Sequence, residues 1–148
     1  MDLIKFFFLL PKKGSFLQGF ANEQLKSQAD LVWRQIYGIS GYLLVFSVLL
    51  GIALAAYYYT VDNEQPGRHY KVSRWILWMF ISSAVTFIGT LILEYVLVKT
   101  NLKRGIMSLY CLCAINNAIY CLITYFITSF VWCNCFRTNA YKFLKLKR

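Results

Sequence analysis

Three long apolar blocks, separated by short polar segments, dominate the pattern of the chain. The first block covers residues 41–60 and the third covers 106–132, and neither contains a charged residue. The second block covers 75–98 and holds a single charge, Glu94. A helix needs about 20 largely apolar residues to cross the hydrocarbon core of a bilayer. The pattern therefore predicts three transmembrane helices.

Residues 1–39 follow a different pattern, in which apolar residues recur at helical spacing with polar residues between them. The apolar positions include Leu17, Leu25, Val32 and Ile36, and residues 15–18 fit a capping box at a helix start. We expect an amphipathic helix that lies on the membrane surface or docks on its own spans. The predicted fold is therefore an all-α integral membrane protein with three transmembrane helices behind an amphipathic N-terminal helix.

This pattern divides the chain into three segments. The membrane-surface segment covers residues 1–39, the three-span domain covers 40–133, and a basic tail covers 134–148. Aromatic residues lie near most span ends, as Tyr57–Tyr59, Trp75 and Trp132 do. Such rings prefer the headgroup level of a bilayer, which supports the span boundaries.

Composition strengthens the membrane prediction and suggests its partners. The chain is 59% hydrophobic, has a mean hydropathy of +0.51 and carries a net charge of +10. Because the basic residues lie mostly outside the apolar blocks, they favour contact with lipid headgroups, and no nucleic-acid partner is expected. Basic residues near the span ends number five on one side and eight on the other, which favours a cytoplasmic C-terminal tail by a small margin.

Polar residues within the second and third blocks are the candidates for a site inside the membrane, where each polar group needs a partner. The candidates are Ser82, Thr86, Thr90, Glu94, Asn116, Asn117, Thr124 and Thr128. They either hold helices together or, in an oligomer, line a polar lumen. Glu94 lies near the end of its block, so we expect it to reach the headgroups or pair with Lys99 or Lys103.

Two further groups of residues carry weaker signals. Ser47, Gly51 and Ala55 form a small-residue seam that allows close helix packing in the first block. Cys133 and Cys135 lie where the third span leaves the bilayer, a position at which cysteines can be palmitoylated. Two ligands do not make a metal site, so no metal or cofactor is predicted.

Catalytic motifs are missing from the sequence, which has a single histidine and no Gly-rich phosphate loop. We therefore expect a non-enzymatic membrane subunit with a structural or assembly role in a larger membrane complex. Its expected partners are membrane lipids and other membrane subunits or copies of itself. The alternative is a small homo-oligomeric pore or membrane-permeabilising protein, such as a holin-like or defence effector.

Overall fold

The structure is a computed structural model that describes residues 13–67, 71–100, 105–136 and 144 of the chain. Within these ranges the secondary structure is helical and contains no strand. The elements are α1 (Lys13–Gln18), α2 (Glu23–Tyr57) with a short π-helical continuation (Tyr58–Asp62), α3 (Val72–Leu97) and α4 (Met107–Cys135).

The three main helices have the length that the predicted spans require. The helix that begins at Glu23 and includes the π-helical turn has 40 residues, α3 has 26 and α4 has 29. At 1.5 Å per residue, even α3 extends about 39 Å, which exceeds the roughly 30 Å of a bilayer core. All three are long and apolar enough to cross a membrane.

The start of the first long helix differs from the expectation. Residues 15–18 lie inside α1, which ends at Gln18, and α2 begins only at Glu23. Asn22 precedes α2, and its carbonyl accepts a hydrogen bond from the Lys26 N–H at 2.9 Å. Asparagine is among the preferred residues at the N-cap, the position just before the first residue of a helix. From Glu23 the helix continues without interruption through the predicted boundary at residue 40.

The chain forms two compact units, and each long helix contributes a part to both. The first unit comprises the described residues within Met1–Val45 and Phe87–Asn117. Its buried core is aliphatic, with one tyrosine and one thiol. The core residues are Val32, Ile36, Leu43, Val98, Ile106, Leu109, Tyr110 and Cys113.

α1 is attached to this first unit by apolar and ionic contacts. Phe16 packs against the core, and Lys13 forms an ion pair with Asp30 at 2.6 Å. Arg34 contacts the other Asp30 oxygen at 3.1 Å. These contacts hold the beginning of α1 against α2.

The second unit comprises the described residues within Phe46–Thr86 and Ala118–Arg148. Its buried core is aromatic, in contrast to that of the first unit. The core residues are Ala55, Tyr58, Tyr59, Trp75, Tyr125 and Cys133. The π-helical turn belongs to this unit, and the Asn63 N–H closes it by donating to the Tyr58 carbonyl at 3.0 Å.

α3 has an inverted distribution of polarity. Four of its polar residues, Ser82, Thr86, Thr90 and Glu94, are all 0% exposed. Ser73, in the first turn, is exposed, and Ser83 is half-buried. Most of the other exposed positions are large and apolar. They include Ile76, Leu77, Phe80, Val85, Ile88, Ile92 and Val96. A helix facing water has the opposite arrangement, so α3 is compatible with an integral membrane location.

Candidate functional site

The part of the α3 stripe that belongs to the second unit forms local hydrogen bonds. The Ser82 hydroxyl donates to the Met79 carbonyl at 2.7 Å. The Thr86 hydroxyl donates to the Ser82 carbonyl at 2.8 Å. Hydroxyl groups in spans commonly bond to their own helix in this way. The hydroxyl groups of these two residues are therefore satisfied by the protein itself and need no ligand.

The part that belongs to the first unit meets polar residues of α4. Thr90 and Glu94 lie one turn apart on α3, and Cys113 and Asn117 lie one turn apart on α4. The Asn117 side-chain amide donates to the Thr90 hydroxyl at 3.4 Å, and the Cys113 thiol lies beside the Glu94 carboxylate. We call these four residues the Glu94 cluster. None is more than 1% exposed.

Glu94 does not reach the protein surface, although its position near a span end had suggested contact with headgroups. Its side chain is 0% exposed, and neither carboxylate oxygen has a hydrogen-bond partner among the described residues. Lys99 is exposed, and Lys103 lies outside the described residues. An ionised carboxylate buried in this way lacks the compensation that it needs.

The two asparagines also retain unused bonding capacity. Asn117 uses its amide nitrogen on Thr90, but its carbonyl oxygen has no partner within the described chain. Asn116 is 4% exposed, and its amide nitrogen has none either. Both predicted amides are therefore enclosed in the first unit, and one of them belongs to the Glu94 cluster.

The second unit contains a polar network that the sequence did not reveal. The Trp75 indole N–H donates to the Ser129 hydroxyl at 3.1 Å. The Tyr125 hydroxyl donates to the Trp75 carbonyl at 3.5 Å, and the Tyr59 hydroxyl and the Cys133 sulfur lie 3.5 Å apart. We call these five residues the Trp75 cluster. Its members are all buried, although Tyr59 and Trp75 fitted an aromatic belt at the headgroups. The sequence signal that could have indicated this network is that a buried indole N–H or phenol O–H needs a hydrogen-bond partner.

The small-residue seam of α2 lies against α4 within the same unit. A Cβ atom at Gly51 would lie 2.9 Å from the Cys121 carbonyl oxygen and 3.1 Å from the Thr124 Cβ. Ser47 and Ala55 are both 0% exposed. Thr124 is half-buried, and its hydroxyl donates to the Tyr120 carbonyl at 2.8 Å. Thr128 is also half-buried.

The cysteines at the end of α4 have different environments. Cys133 is buried beside Tyr59, whereas Cys135 is exposed. The five cysteines all lie in the described residues, and none of them forms a disulfide there. In the part of the chain that the structure describes, no three His, Cys, Asp or Glu side chains come close enough together to hold a metal ion.

Comparison with known proteins returns no relative from which a role could be transferred. The chain matches no protein-family model, and no curated protein and no solved structure matches it. What the chain does must therefore be argued from its own residues.

Proposed function

We propose that the protein is a non-enzymatic integral membrane subunit that assembles with other membrane subunits or with copies of itself. The observation that carries the proposal is the inverted polarity of α3. Large apolar side chains such as Phe80, Ile88 and Ile92 are 56–62% exposed. Lipid tails and the apolar faces of other spans are the partners that suit such a surface, because neither can satisfy exposed polar groups.

The burial of the polar stripe argues against the alternative of a pore between protomers. A lumen between protomers requires polar side chains on the outer face of each one. Ser82, Thr86 and Glu94 are instead 0% exposed within a single chain. Opening a lumen along α3 would require this helix to rotate and to bring its apolar side chains inward.

The N-terminal segment contributes to the same role in this proposal. We assign it an amphipathic helical character, with its apolar side docked on the chain's own helices. The contact of Phe16 with the first core and the ion pair between Lys13 and Asp30 support docking over a free position on the membrane surface. Basic residues at the span ends and in the tail contact lipid headgroups, with the tail on the cytoplasmic side.

Affinity purification of the full chain from its native membrane in mild detergent tests this proposal. We expect stoichiometric membrane proteins to co-purify, or a discrete homo-oligomer to form, when the species are separated by size and identified by mass spectrometry. Liposomes that contain the purified protein should retain a trapped dye. A lone monomer in native membranes would contradict an assembly role, and rapid dye leakage would favour the pore instead.

A further inference from the structure

The carboxyl group of Glu94 is enclosed in the first unit without the partners that an ionised carboxylate requires. The side chain is 0% exposed, and both oxygens lack a hydrogen bond within the described chain. An ionised carboxylate in such a place carries a large desolvation cost, which buried acids avoid by pairing with a cation or by taking up a proton.

The described polar groups around Glu94 come from α3 and α4, and none of them carries a charge. On α4, the Cys113 thiol lies beside the carboxyl and the Tyr110 hydroxyl is the other titratable neighbour. On α3, Thr90 lies one turn away. α2 supplies apolar side chains to this core, and its buried Ser40 hydroxyl bonds to the Tyr37 carbonyl of the same helix.

The second unpartnered atom in the cluster is an acceptor. The Asn117 carbonyl oxygen is buried and has no donor among the residues described. A protonated carboxyl group carries one O–H donor, whereas an ionised one can only accept. A proton on Glu94 therefore provides the type of group that the cluster lacks.

We propose that Glu94 is a reversible proton-binding site inside the membrane domain, with Thr90, Cys113 and Asn117 as its neutral polar surroundings. The proton comes from solvent and returns to it, and binding converts the carboxylate to a carboxylic acid with no other reactant. This site does not depend on the assembly role proposed above, because the groups that form it belong to a single chain.

The test is covalent labelling with an apolar carbodiimide such as dicyclohexylcarbodiimide, which adds to protonated carboxyl groups in apolar surroundings. The full chain is labelled in detergent at neutral pH, and the adduct is located by peptide mass spectrometry. Glu64, an exposed glutamate outside the helices, is the matched internal control. We expect at least roughly tenfold more adduct at Glu94 than at Glu64, because Glu64 is exposed to water and the reagent favours carboxyl groups in apolar surroundings.

A second readout does not depend on the reagent. The folded protein holds a proton that the unfolded chain releases, so its free energy of unfolding should fall as the pH rises from acidic to alkaline. Glu94→Gln should remove this part of the slope, and Glu64→Gln should leave it unchanged. If Glu94→Gln does not fold, the labelling of the wild-type chain still decides the question.

Three results would overturn the proposal. Absence of a Glu94 adduct at every pH at which the chain stays folded would mean that the carboxyl stays ionised. Added sodium chloride, compared with choline chloride, would protect Glu94 if a metal ion occupied the site. Neutralising Lys99, Lys103 and Arg104 with glutamine would increase the adduct if one of these loop cations were the partner of an ionised Glu94.

Discussion

The polar groups buried between α3 and α4 are satisfied to different degrees in the two units of the protein. In the second unit, the Trp75 indole donates to Ser129 and the Ser82 and Thr86 hydroxyls donate to backbone carbonyls. In the first unit, both oxygens of Glu94 and the side-chain carbonyl of Asn117 have no partner in the described part of the chain. α3 and α4 contribute to both units, so the difference does not arise because the two units are built from different helices.

This difference distinguishes polar groups that serve helix packing from polar groups that are candidates for a functional site. Satisfied polar groups stabilise one helix arrangement, whereas an unsatisfied group persists at a cost that a ligand or a proton can remove. The contrast has two exceptions among the described residues of the second unit, because both side-chain atoms of the buried Asn63 and the indole N–H of Trp78 lack partners there. Asn63 lies just after the π-helical turn, outside the α3–α4 contact. The Glu94 cluster differs from both exceptions because its unpartnered atoms include those of a carboxyl group, which can take up a proton.

The largest effect is expected from Gly51→Leu, which tests the close packing of the second unit. The first added atom would lie 2.9 Å from the Cys121 carbonyl oxygen, and backbone atoms cannot move aside cheaply. We expect the free energy of unfolding to fall by about 3 kcal/mol, the upper part of the usual range for overpacking. Unfolding by sodium dodecyl sulfate in mixed micelles measures this change.

Gly38→Leu is the matched control, because it lies on the same helix and has nothing within 4 Å of its added Cβ. Replacing a glycine inside a helix favours the helix, so this variant should be as stable as the wild type or more stable by up to about 1 kcal/mol. Equal destabilisation by both variants would show that α2 does not pack against α4 at Gly51.

A smaller loss is expected from Ser129→Ala, which removes the acceptor of the Trp75 indole N–H. Hydrogen bonds between membrane helices average about 0.6 kcal/mol and reach about 1.7 kcal/mol. Because the bond is short and buried, we expect a loss of about 1 kcal/mol in the same unfolding assay. Ser108→Ala is the control, since that exposed hydroxyl donates to the carbonyl of the nearby Gly105 at 3.2 Å. A loss as large in the control would remove the evidence that the Trp75 bond matters.

The spans could be predicted from the sequence because hydrophobic length is a property of local composition. An uncharged run such as residues 41–60 allows few structures other than a spanning helix. The break between α1 and α2 could not be predicted, since the capping signal at Ser15 is short and helices tolerate such signals internally. Helix boundaries depend on a few local bonds, such as that between Lys26 and Asn22.

The candidate site was predictable by position and unpredictable by environment. Thr90 and Glu94 are four residues apart, which predicted that both lie on one face of α3. The burial of both side chains agrees with this prediction. Proximity to a span end suggested that Glu94 would reach the headgroups. The direction in which its side chain points depends, however, on which face of α3 packs inward. Ser129 and Tyr125, the partners of Trp75, are 54 and 50 residues away in sequence. A single sequence does not show which residues that far apart will pair.

The smallest effect is expected from Asn117→Leu, and it tests the contrast between the units most directly. Asn117 is as deeply buried as Ser129, and each makes a side-chain bond across α3 and α4. The Asn117 bond is long, at 3.4 Å, and its carbonyl oxygen is unpartnered in the described structure. The variant removes an amide whose carbonyl oxygen is already unpartnered there, and the Thr90 hydroxyl loses only a long and therefore weak bond. The free energy of unfolding should therefore change by less than about 0.5 kcal/mol, or increase. A loss equal to that of Ser129→Ala would mean that the first unit depends on its polar groups as the second does, and the distinction between packing and site would fail.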